Sequence, residues 1–195
     1  SAKKINYITY EEMLETSSLG AKILQTRSVE LAMKHNVSIQ VLSSQIDKQG
    51  TYVVNESKKM EKEIVSGISF SKDEAKVTVN GLLDQPGVSA GIFGSLAEAN
   101  INVDMILQNI SQDGKTANIT FTIPQSELKK AVKVLENAKN KINFQSLKTD
   151  EKVAKVSAIG MGMRSQAGVA TKMFKILGEK KINIQAISTS EIKIS

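Results

Sequence analysis

The 195-residue sequence contains no cysteine and a single histidine, His35. Without cysteine the chain can form neither disulfides nor thiolate metal sites, which fits a reducing compartment, so we expect a cytoplasmic localisation. His35 has no cluster of metal ligands beside it in the sequence, and no serine–histidine–aspartate arrangement can be built around it. We therefore expect no metal site and no catalytic residue, and we place His35 at a helix end or on the surface.

Long apolar runs are also missing. No run approaches the roughly 18 residues that suggest a transmembrane helix, and no N-terminal basic-then-apolar signal segment is visible. We therefore expect no membrane partner.

Aromatic residues make up only 4% of the chain, and its net charge is +6. Both values matter for whether the chain binds nucleic acid. A basic protein raises nucleic acid as a partner, but the lysines here are scattered over predicted helix faces. An RNA-binding sheet stacks bases on aromatics in its central strands, and Lys76–Val79 and Lys155–Ile159 contain none. We therefore expect no nucleic-acid partner, and salt-dependent retention on RNA would contradict this.

What the chain does contain is an internal repeat. The stretch from Lys76 to Asn109 returns in altered form from Lys155 to Ser190. From the Gly-Val pair onward the copies align without gaps at an offset of 81 residues, which relates Phe93 to Phe174. Before that pair the offset is 79, so the second copy has two extra loop residues. Such a repeat constrains the fold more than any single motif.

Each copy is predicted to run strand, loop, helix, strand. β-Branched residues alternate in Lys76–Val79 and Lys155–Ile159, as in half-buried strands. A helical stripe follows in each copy, and the chain then enters a strand at Val103–Ile110 or Ile184–Ser188. The stripe residues are Val88, Ile92, Phe93 and Leu96 in the first copy and Val169, Met173, Phe174 and Leu177 in the second.

The remaining elements complete the first copy only. Asp113-Gly114 predicts a turn between the strands Met105–Ile110 and Thr116–Ile123. A helix carrying Leu128, Ala131, Val132, Leu135 and Ala138 and a strand at Ile142–Leu147 would finish a βαββαβ module. The second copy lacks the last helix and strand. Either the native chain continues, or the predicted early strands Val37–Ser43 and Thr51–Val54 fill the gap.

The start of the chain differs in character. Tyr7–His35 is predicted to be helical, with Thr9 and Glu12 forming a capping box, Gly20 interrupting and a second helix at Ser28–His35. Glu56–Glu63 is predicted to be an exposed linker, and Val65–Phe70 a strand that leads into the first repeat.

Three phrases carry a family resemblance: LDQPGVSAGIFGSLAEANINVDMILQN, GMGMRSQAGVATKMF and NIQAISTSEIKIS. They resemble the paired ACT domains of the aspartate kinase family, and YEEMLETSSLGAKILQTRSVELA is similar to the last helices of its kinase domain. The family usually has His-Pro where this chain has Gln25-Thr26.

The resemblance implies an α+β fold of two ferredoxin-like βαββαβ ACT domains packed as a pair after a short helical tail. The implied divisions are the end of a kinase domain, a strand-and-linker segment that could contribute to the second ACT domain, and the first and second ACT domains. Their ranges are 1–36, 37–64, 65–149 and 150–195.

The resemblance also implies a function. The family makes 4-phospho-L-aspartate from ATP and aspartate, on the route to lysine, threonine and methionine. Its phosphate- and aspartate-binding sequences are absent here, and Gly160–Met163 is too short to replace a nucleotide loop. We expect a regulatory region without kinase activity, with ATP and Mg²⁺ needed only by the kinase domain. Lysine, threonine or both are the expected effectors, and the expected partners are a kinase domain or large subunit and a second copy joined through the ACT domains.

The candidate effector site follows from amino-acid chemistry. A carboxylate suits the unpaired N–H groups at a helix start, and a nearby acid suits an ammonium group. The resemblance adds the start of the next strand and, across the module interface, a matching strand. The candidate residues are Asp84, Gly87, Val88, Ser89, Asn102, Val103, Asp104, Gln108, Asn183 and Ile184.

Simpler readings remain open for these residues. Asp-X-Pro-Gly is also an ordinary turn and helix start, and both asparagines could be turn residues. In the second copy Ser165 replaces Asp84 and Gln185 replaces Asp104, so we expect the Asp84 site to bind more tightly. The alternative function is an ACT-only regulatory module of another amino-acid enzyme.

Overall fold

The computed structural model of the chain describes residues 4–21, 23–56, 64–112, 114–164 and 168–195. None of the helices in these ranges is long and apolar enough to cross a membrane. The strands are β1 (Tyr7–Thr9), β2 (Ile39–Val41), β3 (Thr51–Val54), β4 (Gly67–Leu83), β5 (Ile106–Ile110), β6 (Thr116–Ile123), β7 (Ser146–Ile159) and β8 (Lys193–Ile194). The helices are α1 (Tyr10–Thr16), α2 (Thr26–Lys34), α3 (Val88–Glu98), α4 (Leu128–Asn137), α5 (Lys139–Ile142) and α6 (Val169–Glu179).

The chain divides into two compact units. The first unit combines Ser1–Ser71 with Val156–Ser195, and the second is Lys72–Lys155. Both long strands, β4 and β7, begin in one unit and end in the other. The sequence predicts a domain boundary between residues 149 and 150, and β7 passes through this point without a break.

The second unit contains the first repeat and has the predicted βαββαβ order. Its strands lie side by side in the order β5-β6-β4-β7, which is the strand order of a ferredoxin-like sheet. Strand β6 pairs antiparallel with β5 on one side and with β4 on the other, so the predicted hairpin is confirmed. Asp113, in the predicted turn, lies outside the described residues.

Helices α3 and α4 cover the sheet of this unit with their apolar stripes. Ile92 and Leu96 of α3 are fully buried, as is Leu135 of α4, which confirms the predicted helical periodicity. On the sheet, Val77 and Phe121 are completely buried, and the Phe121 ring meets that of Phe93 edge-on at 5.6 Å between centroids.

The predicted strand Ile142–Leu147 is wrong for its first four residues. Residues Lys139–Ile142 form the short helix α5, Asn143 takes a left-handed conformation with φ of 58°, and β7 starts only at Ser146. Ile142 and Phe144 are both buried in the core of the second unit. Their i, i+2 spacing imitates a strand, but a helix end followed by a left-handed residue also turns both side chains inward.

In the first unit, β1, β3 and β2 form a three-stranded sheet next to α1 and α2. The capping box of Thr9 and Glu12 is present, and Gly20 interrupts the helical segment with φ of 95°, both as predicted. Tyr7–Thr9 is a strand rather than helix, because β-branched and aromatic residues before the cap pair in parallel with β3. His35 is exposed and ends α2, as predicted.

The second repeat, also in the first unit, is less regular. Its helix α6 is present as predicted, but Ile184–Ser188 forms no strand. In the first repeat the corresponding strand, β5, pairs with the eight-residue strand β6. In the second repeat only the two-residue strand β8 follows α6, so Ile184–Ser188 has few residues to pair with. Strand β3 pairs with β1 on one side and with β2 on the other, so these early strands form a sheet of their own and do not take up the alternative of filling the gap in this repeat.

One glycine of the first unit makes a testable packing contact. A Cβ added to Gly160 would lie 2.3 Å from the carbonyl oxygen of Ile64 and 2.8 Å from the Cα of Val65. Because both atoms belong to the backbone, no side chain can move aside to relieve the contact. Replacing Gly160 with alanine is therefore expected to destabilise the protein by about 1–3 kcal/mol in urea unfolding.

Gly178 provides the matched control for this substitution. It lies in α6, and a Cβ there would meet nothing within 4 Å. Its replacement by alanine should be neutral or stabilising by up to about 1 kcal/mol. Equal unfolding midpoints for the two variants would show that the Gly160 contact is not as tight as described.

Candidate functional site

Helix α3 starts at a surface turn that carries four of the predicted site residues. Gly87 is its N-cap, in the left-handed conformation at φ of 94°, and no side chain caps the helix. The space around Gly87 is open, since a Cβ there would meet nothing within 4 Å. Asp84 is exposed, and its backbone N–H donates to the carbonyl oxygen of Lys115 at 3.1 Å. Val88 and Ser89 are half-buried in the first turn, so the backbone here can accept an anion from solvent.

A pocket of about 410 Å³ lies at the other end of the same helix. We call it the α3 pocket. Asn100, with a positive φ of 53°, turns the chain there, and the buried Ile101 donates its N–H to the carbonyl oxygen of Leu96. The pocket is lined by Phe93, Ala97, Asn100, Ile101, Asn102, Val103 and Ile106.

Two predicted residues, Asn102 and Val103, therefore line a pocket, while the next, Asp104, is engaged elsewhere. The Asp104 carboxylate pairs with the ammonium group of Lys155, which also lies 3.0 Å from a carboxylate oxygen of Glu74. The side chains of Lys155 and Glu74 are each 10% exposed, and that of Asp104 is half exposed. The sequence predicts that Asp104 binds an ammonium group of a ligand. In the structure the ammonium group of Lys155 competes for the same carboxylate.

The charge cluster shifts the pKa of Lys155. Burial favours the neutral amine and lowers the pKa, but hydrogen bonds and charge attraction from Asp104 and Glu74 outweigh burial and hold it above its ordinary value of 10.5. The folded chain therefore binds this proton more tightly than the unfolded chain does.

This shift predicts a pH dependence of stability. The stabilisation by Lys155 is complete below pH 10.5 and is lost as the pH rises through the higher pKa of the folded state. The difference in urea midpoint between the wild type and Lys155→Met should therefore shrink above that pH. A difference that stays constant or grows through this range would contradict the assigned pairing.

A second pocket, of about 500 Å³, lies in the first unit at the start of α6. We call it the α6 pocket. One wall is the helix start, where Gly168 is the N-cap at φ of 100°. The other wall is a tight return of the chain in which Thr189 bridges to Ile194 and the Ser190 N–H donates to the carbonyl oxygen of Lys193 at 2.8 Å. It is lined by Met163, Gly168, Val169, Ala170, Thr189, Ser190, Glu191 and Ile194.

The α6 pocket combines three kinds of polar group that suit a zwitterion. Amides at the helix start favour an anion, two hydroxyl groups can donate or accept, and the Glu191 carboxylate favours a cation. Sequence reasoning missed Thr189, Ser190 and Glu191 as site residues. The signal was present in the phrase ISTSEIKIS, which places two hydroxyls and an acid side by side within the second repeat.

The other predicted residues lie outside the two pockets described here. Asp84, Gly87, Val88 and Ser89 line neither the α3 pocket nor the α6 pocket, and Gln108 is exposed on β5. Asn183 and Ile184 are exposed in the irregular segment after α6, in the first unit. Ser165, the predicted counterpart of Asp84, lies outside the described residues.

Both pockets lie in parts of the chain that match a known protein family. Residues 77–138 and 156–195 match the model of the ACT domain family. These ranges include both copies of the repeat except the first residue of each, and they cover more than half of the chain. The fold is thus a tandem pair of ACT domains of the ferredoxin-like α+β type.

Individual relatives show which kind of ACT-domain protein the chain resembles. An aspartate kinase from Pseudomonas putida is 50% identical over 195 residues, which is 100% of this chain and 47% of the relative. A crystal structure of aspartokinase alpha and beta subunits is 47% identical with a TM-score of 0.62, covering 67% of this chain and 84% of that one. The ligand-free regulatory subunit of aspartate kinase from Thermus thermophilus is 33% identical with a TM-score of 0.63, over 68% and 86%.

The chain belongs to the aspartate kinase family and corresponds to its regulatory ACT region. It spans about half the length of the curated relatives it matches.

Proposed function

We propose that this chain is the amino-acid-sensing part of an aspartate kinase and that the α6 pocket is an effector site. The observation that carries the proposal is the meeting of helix-start amides, the Thr189 and Ser190 hydroxyls and the Glu191 carboxylate around one cavity. A free amino acid carries one carboxylate and one ammonium group, and these walls offer a counterpart to each. The volume of about 500 Å³ leaves room for a side chain and ordered water.

The effector is proposed to be lysine, threonine or both, as the family resemblance implies. Glu191 would suit either the α-ammonium group of any amino acid or the side-chain ammonium of lysine. The α3 pocket supports a second effector site of different character, because its walls are mostly apolar apart from Asn100 and Asn102. Effector binding would then inhibit an attached kinase by favouring one conformation, with a coupling of typically about 1–3 kcal/mol.

Partners and cofactors follow from the same proposal. We propose that phosphoryl transfer to aspartate, with its ATP and Mg²⁺, belongs to a kinase domain or large subunit and not to the residues of this chain. A homodimer through the ACT domains is supported by strand β5, which is exposed along most of its length and carries Ile106 at 52% and Ile110 at 58% exposure.

Thermal melting with each amino acid tests the proposal. A ligand at about 100 times its Kd stabilises the folded form by about 2.7 kcal/mol, which raises the Tm of a chain this size by about 5–10 °C. Lysine or threonine should give this shift, and Glu191→Gln should reduce the affinity about tenfold or more. If neither amino acid moves the Tm, the proposed function is wrong.

Isothermal titration of Asp84→Ala and Ser165→Ala compares the two helix starts. The sequence predicts the greater loss of affinity for Asp84→Ala, whereas the α6 pocket places its polar groups beside the second helix start. Equal losses would contradict the predicted inequality, and no loss for Asp84→Ala would assign effector binding to the α6 pocket alone.

A further inference from the structure

Helix α1 presents two carboxylates to the strands and turns around the α6 pocket. Glu12 and Glu15 are three residues apart, so they lie on the same side of the helix. Glu12 is only 4% exposed, and the side chain of Glu15 is 27% exposed. A buried carboxylate must be satisfied by hydrogen bonds or ion pairs, and each of these two finds partners far away in the sequence.

Glu12 uses its two oxygens for different purposes. One oxygen, Oε2, accepts from the Thr9 N–H at 3.0 Å and completes the capping box. The other, Oε1, accepts from the Ser66 hydroxyl and from the Met161 N–H, the latter at 2.9 Å. Met161 starts the turn Met161–Arg164, and Met163 in that turn lines the α6 pocket. Glu12 thereby fixes the backbone two residues from one pocket wall.

Glu15 is attached beside the tight return of the chain that lines the α6 pocket. One of its carboxylate oxygens lies 2.9 Å from the ammonium group of Lys193, whose side chain is 20% exposed. Lys193 is in β8, and the next residue, Ile194, lines the α6 pocket and bridges to Thr189, which also lines it. The ion pair therefore fixes the backbone one residue from a wall that includes the hydroxyl groups.

We propose that α1 is the element that responds to occupancy of the α6 pocket, with Glu12 and Glu15 as its two points of attachment. This inference rests on the proposed effector site and adds the path by which its occupancy is transmitted. Lys193 pairs with Ile159 in the β7–β8 ladder, and the Gly160 N–H donates to the carbonyl oxygen of Ile192 at 2.9 Å, so Met161 and Lys193 move together. A ligand that shifts this end of the ladder displaces both residues, and α1 must follow because both are attached to it. The response requires that the ligand binds the two arrangements with different affinity.

Amide hydrogen exchange of α1, measured by mass spectrometry on the whole chain, tests this path. L-lysine and L-threonine are added separately at saturating concentration, with affinities from isothermal titration. In the wild type, the ligand that binds should change exchange in Tyr10–Thr16 at least threefold. In Glu15→Gln and in Lys193→Met, binding should persist within about tenfold while the change in α1 falls below twofold.

Two further variants separate transmission from simple damage. The charge-reversed double variant Glu15→Lys with Lys193→Glu restores the ion pair and should restore the response of α1. If the single variants only damaged the fold, the double variant would not recover the response. Glu127→Gln removes a carboxylate paired with Lys130 at 3.7 Å on the unrelated helix α4, and it should leave the response unchanged. Glu12→Gln should abolish the response, and if this variant does not fold, the Glu15 and Lys193 variants decide.

The outcomes distinguish the two proposals. Binding in the wild type without any change in α1, or a change that survives in Glu15→Gln and Lys193→Met, overturns the path but leaves the effector site. Absence of binding by either amino acid overturns the effector site and the path together.

Discussion

Replacing Lys155 with methionine is expected to lower the free energy of unfolding by about 3–5 kcal/mol, one of the largest effects of any single substitution in this chain. The ammonium group of Lys155 is the shared partner of Glu74 and Asp104. Without it, Glu74 remains as a charge with a 10% exposed side chain and no cation paired with it among the described residues. The cost arises from that uncompensated charge more than from loss of the pair itself.

Urea unfolding at neutral pH measures the effect, and two controls define its origin. Adding Glu74→Leu to Lys155→Met removes the orphan charge and should recover most of the loss, since apolar replacement of a buried pair is often neutral. Lys130→Met breaks the exposed pair with Glu127 and should cost less than about 1 kcal/mol. The explanation fails if the double variant is no more stable than the single one.

Lys155→Met also tests the connection between the charge cluster and the α3 pocket. Asp104 follows directly after Val103, which lines that pocket, and its N–H donates to the carbonyl oxygen of Thr122 at 2.9 Å. The backbone hydrogen bond keeps Asp104 beside β6 even when its carboxylate loses Lys155. We therefore expect a carboxylate newly available to a ligand ammonium group, in the position that the sequence assigned to it.

Phe121→Ala is expected to destabilise the protein by a similar amount, about 3–5 kcal/mol. Phe121 is completely buried in β6, where its ring meets Phe93 edge-on. Removing the ring loses its transfer free energy and leaves a cavity that strands paired on both sides of β6 cannot close. Since Phe93 lines the α3 pocket, the same cavity should also widen that pocket.

Two substitutions provide the scale for Phe121→Ala. Phe121→Leu keeps most of the volume and should cost only about 1.5 kcal/mol or less. Phe70→Ala removes the same ring from a position that is 63% exposed, so its effect should stay within about 0.5 kcal/mol. If Phe70→Ala were as damaging as Phe121→Ala, the core would not be where the structure places it.

The sequence was sufficient for elements whose signal is local. Alternation of β-branched residues predicts the Lys76–Val79 part of β4, and a 3.6-residue stripe predicts α3 and α4. The capping box of Thr9 and Glu12 is readable within four residues. The strand predicted at Ile184–Ser188 failed because a strand also needs a neighbour, and pairing partners are not encoded in the segment itself. Likewise the spacing of Ile142 and Phe144 fits two local structures, and only the packed core distinguishes them.

The sequence likewise identified some residues of the candidate site and missed others. The family resemblance singled out Asn102 and Val103 as candidate effector residues, and both line the α3 pocket. The α6 pocket was missed, since its wall depends on Thr189 meeting Ile194 and on the approach of that return to Gly168. Glu12 shows the limit most clearly: its cap partner is three residues away, but Ser66 and Met161 are 54 and 149 residues away.

Gly87 and Gly168 start their helices with φ of 94° and 100°, and a side chain at either would meet nothing within 4 Å. After duplication, the two copies have thus kept the same backbone handedness while almost every polar group around it has changed. Neighbouring side chains can therefore be exchanged in one copy without rebuilding the chain path at the helix start.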